Sequence, residues 1–246
     1  MNLSPKQSQI VNHIDGALLV KAGPGSGKTR VLTERVKNLL SKKRRGKVLA
    51  LTFSNMAAEE MRTRLGNDPN VGDAIDRVTI GTIHSFCLDI IQSRGYLIGL
   101  HPDISLFENE NDRLAILRSV ISDETEFGML LRRKDKPEEI IRNFLVAIAG
   151  QKRNLISPEL CSIGEPFPTV YQRYNDVLMN QNAMDFDDIL FFAYRILAEN
   201  HDVTKLYNSI YRFVCIDEAQ DLNYAQYRVI HSLCGSDFRN IMMVGD

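Results

Sequence analysis

No stretch of the 246 residues approaches the ~18 consecutive apolar side chains of a membrane-spanning helix. The opening "NLSPKQSQ" is polar where an export signal would carry a basic segment and then an apolar one. The sequence thus predicts neither span nor export signal. Cysteine is scarce: Cys87, Cys161, Cys215 and Cys234 lie far apart, never in C-x-x-C spacing. That argues against a zinc site or a disulfide framework and for a reducing compartment, the cytoplasm. Neither sign of charge dominates. Thirty Lys and Arg against 31 Asp and Glu leave a net charge of -1, so a polyanion would have to be met by a local patch. Repeats and low-complexity tracts are absent. The one dense basic run, "KKRR" at Lys42 to Arg45, reads as a solvated loop after a helix or as a nucleic-acid contact.

What the sequence does contain is enough apolar side chain, 44%, for a globular protein with a sizeable core. Five short β-rich runs stand out, "ALLVKA", "KVLALTF", "RVTIGTI", "RFVCID" and "IMMVGD", the first three separated by helix-like segments. Such alternation predicts an α/β fold, a parallel sheet covered by helices. Each run is followed by polar or glycine-rich residues: Gly23 to Thr29, Thr52 to Asn55, Thr82 to Ser85, Asp217 to Asp221, and Gly245-Asp246. Open α/β sheets bind ligands beyond the carboxyl ends of their strands, so these stretches are expected to line one crevice. Roughly 130 residues separate the third run from the fourth, far more than a crossover needs. From about Ser105 to Ala183 the pattern is helical, as in "ENDRLAILRSVI", "IIRNFLVAIAG" and "TVYQRYNDVLM". This predicts a small helical subdomain over 105–183, inserted into a sheet domain made of 1–104 and 184–246.

The first loop carries chemistry. Ala22, Gly23, Pro24, Gly25, Ser26 and Gly27 precede Lys28 and Thr29, after an apolar strand and before the amphipathic "RVLTERVKNLL". This fits a P-loop, whose backbone N–H groups wrap phosphates at a helix N-terminus favourable to anions. Lys28 is expected to reach the β- and γ-phosphates and Thr29 to ligate Mg²⁺. Ala22 stands where the strict pattern has glycine; the bland alternative is a chance glycine-rich turn. Its companion is "FVCIDEAQD", an apolar strand ending in adjacent carboxylates. Asp217 would hold the metal and Glu218 would act as general base. A lone "DE" after a strand is usually a turn or a helix cap, but paired with a P-loop in one chain the catalytic reading is favoured. Gln220 could sense the γ-phosphate and Asp221 could pair with a neighbouring motif; a solvated first helical turn is the other reading.

Taken together, "LSPKQSQIV", "AGPGSGKTRVL", "LALTFSNMAAEEMRTRL", "TIHSFC", "MDFDDIL", "CIDEAQDLNYAQY" and "MMVGD" resemble, in order and from end to end, the amino-terminal half of UvrD/PcrA/Rep-type superfamily 1 DNA helicases. The resemblance implies a RecA-like P-loop NTPase core, subdomain 1A, with the helical insertion at the place of subdomain 1B. ATP and Mg²⁺ are implied as ligands, and single-stranded DNA and duplex junctions as partners. Gln7 falls on the family's adenine-reading glutamine and Arg30 on a nucleotide-contacting arginine; alone, either could be a surface residue. Phe53 falls on an aromatic that stacks on a DNA base, with Thr52, Ser54 and Asn55 near the DNA backbone. Without the family, Phe53 reads as a core residue at a strand end. Thr82, His84 and Ser85 fall on a DNA-contacting motif, although a histidine there could be structural. Asp185, Phe186, Asp187 and Asp188 match a segment beside the DNA path and equally an acidic helix cap.

The family continues past "VGD" with a glutamine linking nucleotide to DNA and a second RecA-like domain that supplies arginine fingers and an adenine-stacking aromatic. The sequence stops at Asp246, which implies a fragment. The intact protein is expected to be an ATP-driven 3′-to-5′ helicase and translocase on single-stranded DNA, the fragment alone nearly inactive. Two other classes stay open: an ATP- and DNA-binding module without turnover, and the motor subunit of a helicase–nuclease or defence system.

Overall fold

Five consecutive buried residues, Val48 to Thr52, make strand β2 (Lys47–Thr52) an interior strand. A strand covered on both faces has no polar side to alternate with, so its sequence reads as an unbroken apolar run. The same holds for Phe213 to Ile216 in β6 (Tyr211–Ile216). A computed structural model of the chain describes residues 3–42, 46–121, 128–129, 136–235 and 238–246. Lys43 to Arg45 of the basic run lie outside them.

β2 and β6 belong to a five-stranded sheet with β1 (Leu18–Lys21), β3 (Val78–Thr82) and β7 (Ile241–Gly245), in the order β1-β7-β6-β2-β3. Every pairing is parallel. The registers set Lys21 opposite Gly245, and Thr52 opposite Thr82. Asp217 N–H donates to the Leu51 carbonyl at 2.9 Å, carrying the β2–β6 pairing one residue on. All five carboxyl ends therefore point to one edge.

Helices α1 (Pro5–Asn12), α2 (Lys28–Ser41), α3 (Asn55–Gly66) and α4 (Ile83–Arg94) come next in the chain around these strands. α2 buries Leu32, Val36, Leu39 and Leu40 in a core with Val48 and Ala50 of β2 and with Met242 and Val244 of β7. At about 0.8 kcal/mol per buried methylene, this stripe holds the helix that starts at Lys28 firmly against the sheet. Residues 1–86, 197–222 and 226–246 form one compact unit, and 87–196 with 223–225 form another.

The second unit is built on α5 (Glu110–Val120), α6 (Pro137–Arg153) and α7 (Phe167–Asn180), around Leu117, Ile148, Tyr171 and Leu178. The helical reading of this stretch overlooked two strands at its limits. β4 (Ser105–Phe107) and β5 (Ala183–Asp185) pair in parallel with Leu106 opposite Met184. Three-residue strands are too short to show a period of two.

After β5 the chain enters α8 (Phe186–Glu199), and the acidic segment caps it. Asp188 N–H donates to Asp185 Oδ1 and Asp185 N–H to Asp188 Oδ2, both at 2.9 Å, the reciprocal pattern of a capping box. Buried Lys152 lies 2.8 Å from Asp185 and 2.7 Å from Asp188, and Tyr174 donates to Asp185 at 3.0 Å. Arg153 Nε donates to Asp187 at 2.8 Å. Helices α9 (His201–Ile210) and α10 (Tyr224–Cys234) flank β6 in sequence.

Candidate functional site

The loop from β1 to α2 turns on glycine. Gly27, the residue capping α2, has φ 84° and ψ 30°, a left-handed conformation that costs other residues roughly 1–2 kcal/mol. Ala22 is outside that region and its N–H donates to the Gly245 carbonyl at 2.9 Å, so a methyl group is no obstacle where the strict pattern has glycine. Gly23, Pro24, Gly25 and Ser26 are exposed, and Lys28, Thr29 and Arg30 open α2 half-buried at its positive end.

Gln7 reaches the same loop from α1. Its Nε2 donates to the Ser26 carbonyl at 3.2 Å while its Oε1 accepts from Ser4 N–H at 2.9 Å. Ser4 in turn accepts from Gln7 N–H at 3.2 Å. This capping box was legible as Ser-Pro-x-Gln but went unread in the sequence.

Asp217 follows β6, separated from β1 by β7 alone, and accepts a hydrogen bond from Thr29 Oγ1 at 2.7 Å. It is 4% exposed, and burial pushes its carboxyl above the usual aspartate value despite that bond. Glu218 sits in the left-handed region at φ 50°, unusual for a residue with a side chain. Its Oε2 is 3.3 Å from Lys28 Nζ, which also pairs with Asp246. The bond to Asp246 foremost, and Glu218 after it, raise the Lys28 ammonium above the ordinary lysine value. Gln220, in the short 3₁₀ turn Ala219–Asp221, donates from Nε2 to Glu218 at 3.1 Å and to Asp221 at 3.0 Å, and its Oε1 accepts from Asp246 N–H at 3.2 Å. Gly245 permits this approach: a Cβ there would lie 2.5 Å from Gln220 Oε1.

Lys28, Thr29, Glu218, Gln220 and Asp246 line an open cleft of about 610 Å³ together with Glu60 and Arg64, an ion pair on α3 that sequence reasoning did not single out. Chemically the cleft offers backbone N–H groups and a lysine to an anion. Beside them, a hydroxyl and a carboxylate 2.7 Å apart form an all-oxygen donor pair suited to a hard cation such as Mg²⁺. Groups of three or more His, Cys, Asp or Glu placed to hold a metal are absent among the described residues. Mg²⁺ in phosphate sites characteristically takes only one or two protein ligands, and the pair fits that pattern.

At the ends of β2 and β3 the residues expected near nucleic acid divide by exposure. Phe53 is 58% exposed, which removes the core-residue reading, and the neighbouring Met56 is 81% exposed. Ser54 caps α3 by accepting from Ala57 N–H at 3.2 Å, and Asn55 beside it is exposed. Thr52 is buried, and its hydroxyl donates to the Ser54 carbonyl at 2.9 Å; its side chain shapes the turn and offers no surface. Thr82 and Ser85 bond reciprocally, Thr82 N–H to Ser85 Oγ at 3.0 Å and Ser85 N–H to Thr82 Oγ1 at 3.1 Å. Ser85 is exposed and His84 half-buried.

A five-stranded parallel sheet, a glycine-capped lysine loop after its edge strand β1 and a carboxylate pair after β6 define a RecA-like P-loop fold. The chain belongs to the UvrD/REP helicase family, whose N-terminal domain pattern matches residues 3–246. It is similar to the ATP-dependent DNA helicase PcrA of Bacillus subtilis (strain 168), with 31% identity over 252 residues, covering 99% of this chain and 32% of that protein. It is likewise similar to the ATP-dependent DNA helicase PcrA of Staphylococcus aureus (strain Mu50 / ATCC 700699), with 32% identity over 253 residues, covering 100% of this chain and 33% of that protein. The chain thus spans about a third of the length of these relatives. Among the described residues no helix is long and apolar enough to cross a membrane.

Proposed function

We propose that the chain is the ATP-binding amino-terminal part of a cytoplasmic ATP-dependent 3′-to-5′ DNA helicase, in which Mg·ATP hydrolysis drives movement along single-stranded DNA. The observation that carries this reading is the convergence of Lys28, Thr29, Asp217 and Glu218 at one edge of the sheet. Lys28 exchanges its pairing with Asp246 and Glu218 for the β- and γ-phosphates. The loop from Ala22 to Gly27 wraps the phosphates, Gln7 reads the adenine edge and Arg30 contacts the nucleotide. Glu218 accepts the proton of the attacking water, and Gln220, bonded to it, senses the γ-phosphate. Thr29 and Asp217 would hold Mg²⁺, which when bound neutralises charge on the phosphate oxygens.

Phe53 stacks on successive bases whatever their identity, as a motor that must pass over any sequence requires. Ser54, Asn55, Thr82, His84 and Ser85 contact the strand, with Thr52 fixing the turn beneath them. Residues 1–104 and 184–246 act as subdomain 1A and 105–183 as subdomain 1B. A second RecA-like domain in cis supplies the arginine fingers and closes on the nucleotide.

The test is made on a longer protein that includes that domain. Single-stranded DNA should stimulate phosphate release, and duplexes with 3′ tails should be unwound in preference to those with 5′ tails. Turnover indifferent to DNA, or unwinding only from 5′ tails, would sink the proposal.

A further inference from the structure

The helix that carries Gln7 cannot hold itself in place. α1 has eight residues, short of the ~12–15 an isolated helix needs, and Val11 is its single fully buried residue. Polar ties from α2 add to the packing of Val11 and the partly buried Ile10 against the core in fixing it. Arg35 donates from Nη1 to the Ile10 carbonyl at 3.1 Å and from Nη2 to the Ile14 carbonyl at 3.5 Å. Asn38 Nδ2 donates to the Val11 carbonyl at 2.7 Å. Ile10 and Val11 lie in the last turn of α1, where the helix dipole is negative and intrahelical donors run out; the Ile10 carbonyl also accepts from His13 N–H at 3.2 Å. A cation supplied from the side therefore does what the helix's own sequence does not, since no basic residue stands in that last turn.

Arg35 is 1% exposed, and its Nε has no hydrogen-bond partner. Burying a guanidinium is costly, and this one is compensated by the Ile10 and Ile14 carbonyls, by the Cys215 side chain and by the charge of Asp15. It also lies close enough to the Cys215 thiol to oppose the upward push that burial gives that group. Cys215 is two residues before Asp217 on β6, and Arg35 is two helical turns after Lys28 on α2. Three elements, those bearing Gln7, Lys28 with Thr29, and Asp217, thus meet at one buried cation.

We infer that Arg35, helped by Asn38, is a positioning residue that holds Gln7 against the P-loop and so sets the base preference of the nucleotide site without touching the nucleotide. The inference rests on the nucleotide reading proposed above. Gln7 works from a helix whose end is pinned to the helix that the phosphates sit on, so the spacing between base and phosphate subsites is fixed by Arg35. Replacing Arg35 with methionine fills the volume but removes its bonds to the Ile10 and Ile14 carbonyls, leaving Ile10 with only the His13 N–H at 3.2 Å, and loosens the tie of α1 to α2. The phosphate subsite, built from the loop and Lys28, does not depend on that bond.

Calorimetric titration of residues 1–246 with Mg·ATP, Mg·GTP and magnesium tripolyphosphate separates the two subsites. Wild type should prefer ATP to GTP. Arg35→Met and the milder Asn38→Ala should reduce that preference about five- to tenfold, the worth of one lost buried hydrogen bond or somewhat more, with tripolyphosphate affinity within about twofold of wild type. Arg35→Lys, which keeps the charge and one donor, should recover part of the preference. A variant that still binds tripolyphosphate with the ATP preference intact would overturn the inference, as would an equal loss for all three ligands. Wild type that binds ATP and GTP alike would overturn it too, while leaving the phosphate site standing. Wild type that binds none of the three would remove the nucleotide reading itself.

Discussion

Phe53→Ala separates a nucleic-acid contact from a structural role, because the two make opposite demands on one side chain. Full burial of a phenylalanine is worth ~1.5–3 kcal/mol, and with 58% of Phe53 exposed less than half of that is realised in the folded chain. The stability cost of truncation should stay below about 1.5 kcal/mol, a shift in melting temperature of only a few degrees for a chain of this size. Stacking of a base on an aromatic is worth ~1–3 kcal/mol, so the affinity for single-stranded DNA should fall about five- to 150-fold. The loss should be alike for oligonucleotides of different sequence, since every base offers a π face. Fluorescence anisotropy with mixed-sequence oligonucleotides measures the second quantity and thermal melting the first. Unchanged affinity with a large drop in melting temperature would refute the stacking reading and restore the structural one.

In the second unit, Lys152→Met should destabilise by about 3–5 kcal/mol in denaturant melts, because it strands Asp185 and Asp188 in the interior without their cation; a loss under 1 kcal/mol would contradict the buried network. Burial foremost, and then the charge of Asp185, push the Asp188 carboxyl up to about 7, so between about pH 4 and 7 the folded state keeps a proton that the unfolded chain has released. The contribution of this group to stability therefore falls as pH rises through that window, and Asp188→Asn should flatten that part of the stability profile; an unaltered profile would rule it out. Residues 1–246 alone should bind ATP yet release phosphate very slowly, with no stimulation by single-stranded DNA, because an arginine finger is worth ~10³–10⁵ in rate and in the proposed account the second domain would supply it. Fast DNA-stimulated turnover by this chain would defeat the two-domain account, and in the longer protein Glu218→Gln should abolish hydrolysis while ATP binding persists.

The parts of the site visible in the sequence are those whose chemistry is local. The lysine loop and the carboxylate pair announce themselves because strand, turn and functional side chain are contiguous, and a parallel sheet brings strand ends to one edge whatever their separation. Asp246 pairs with Lys28 across 218 residues, a contact that no spacing rule encodes. Gln220 likewise gains its role as a junction between Glu218 and β7 only through the close approach that Gly245 allows. Thr52 and Phe53 are neighbours in a polar stretch; Thr52, the last residue of β2, is buried with its hydroxyl bonded to the Ser54 carbonyl, and Phe53, just past the strand, is exposed. Arg35 left a trace, a charge on the apolar stripe of an amphipathic helix, but its meaning lay in the carbonyls of another helix. The strands β4 and β5 were invisible for want of length.

The central claim is that the loop after β1 is a phosphate-binding site served by Lys28, and calorimetric titration of Mg·ATP into residues 1–246 and into Lys28→Ala tests it most directly. Lys28 contributes charge to the cleft and little to the core, so circular dichroism should show the same fold in both proteins. The account predicts saturable ATP binding by the wild-type chain and none measurable by the variant. Equal ATP affinity in the two, with the fold intact, would contradict it.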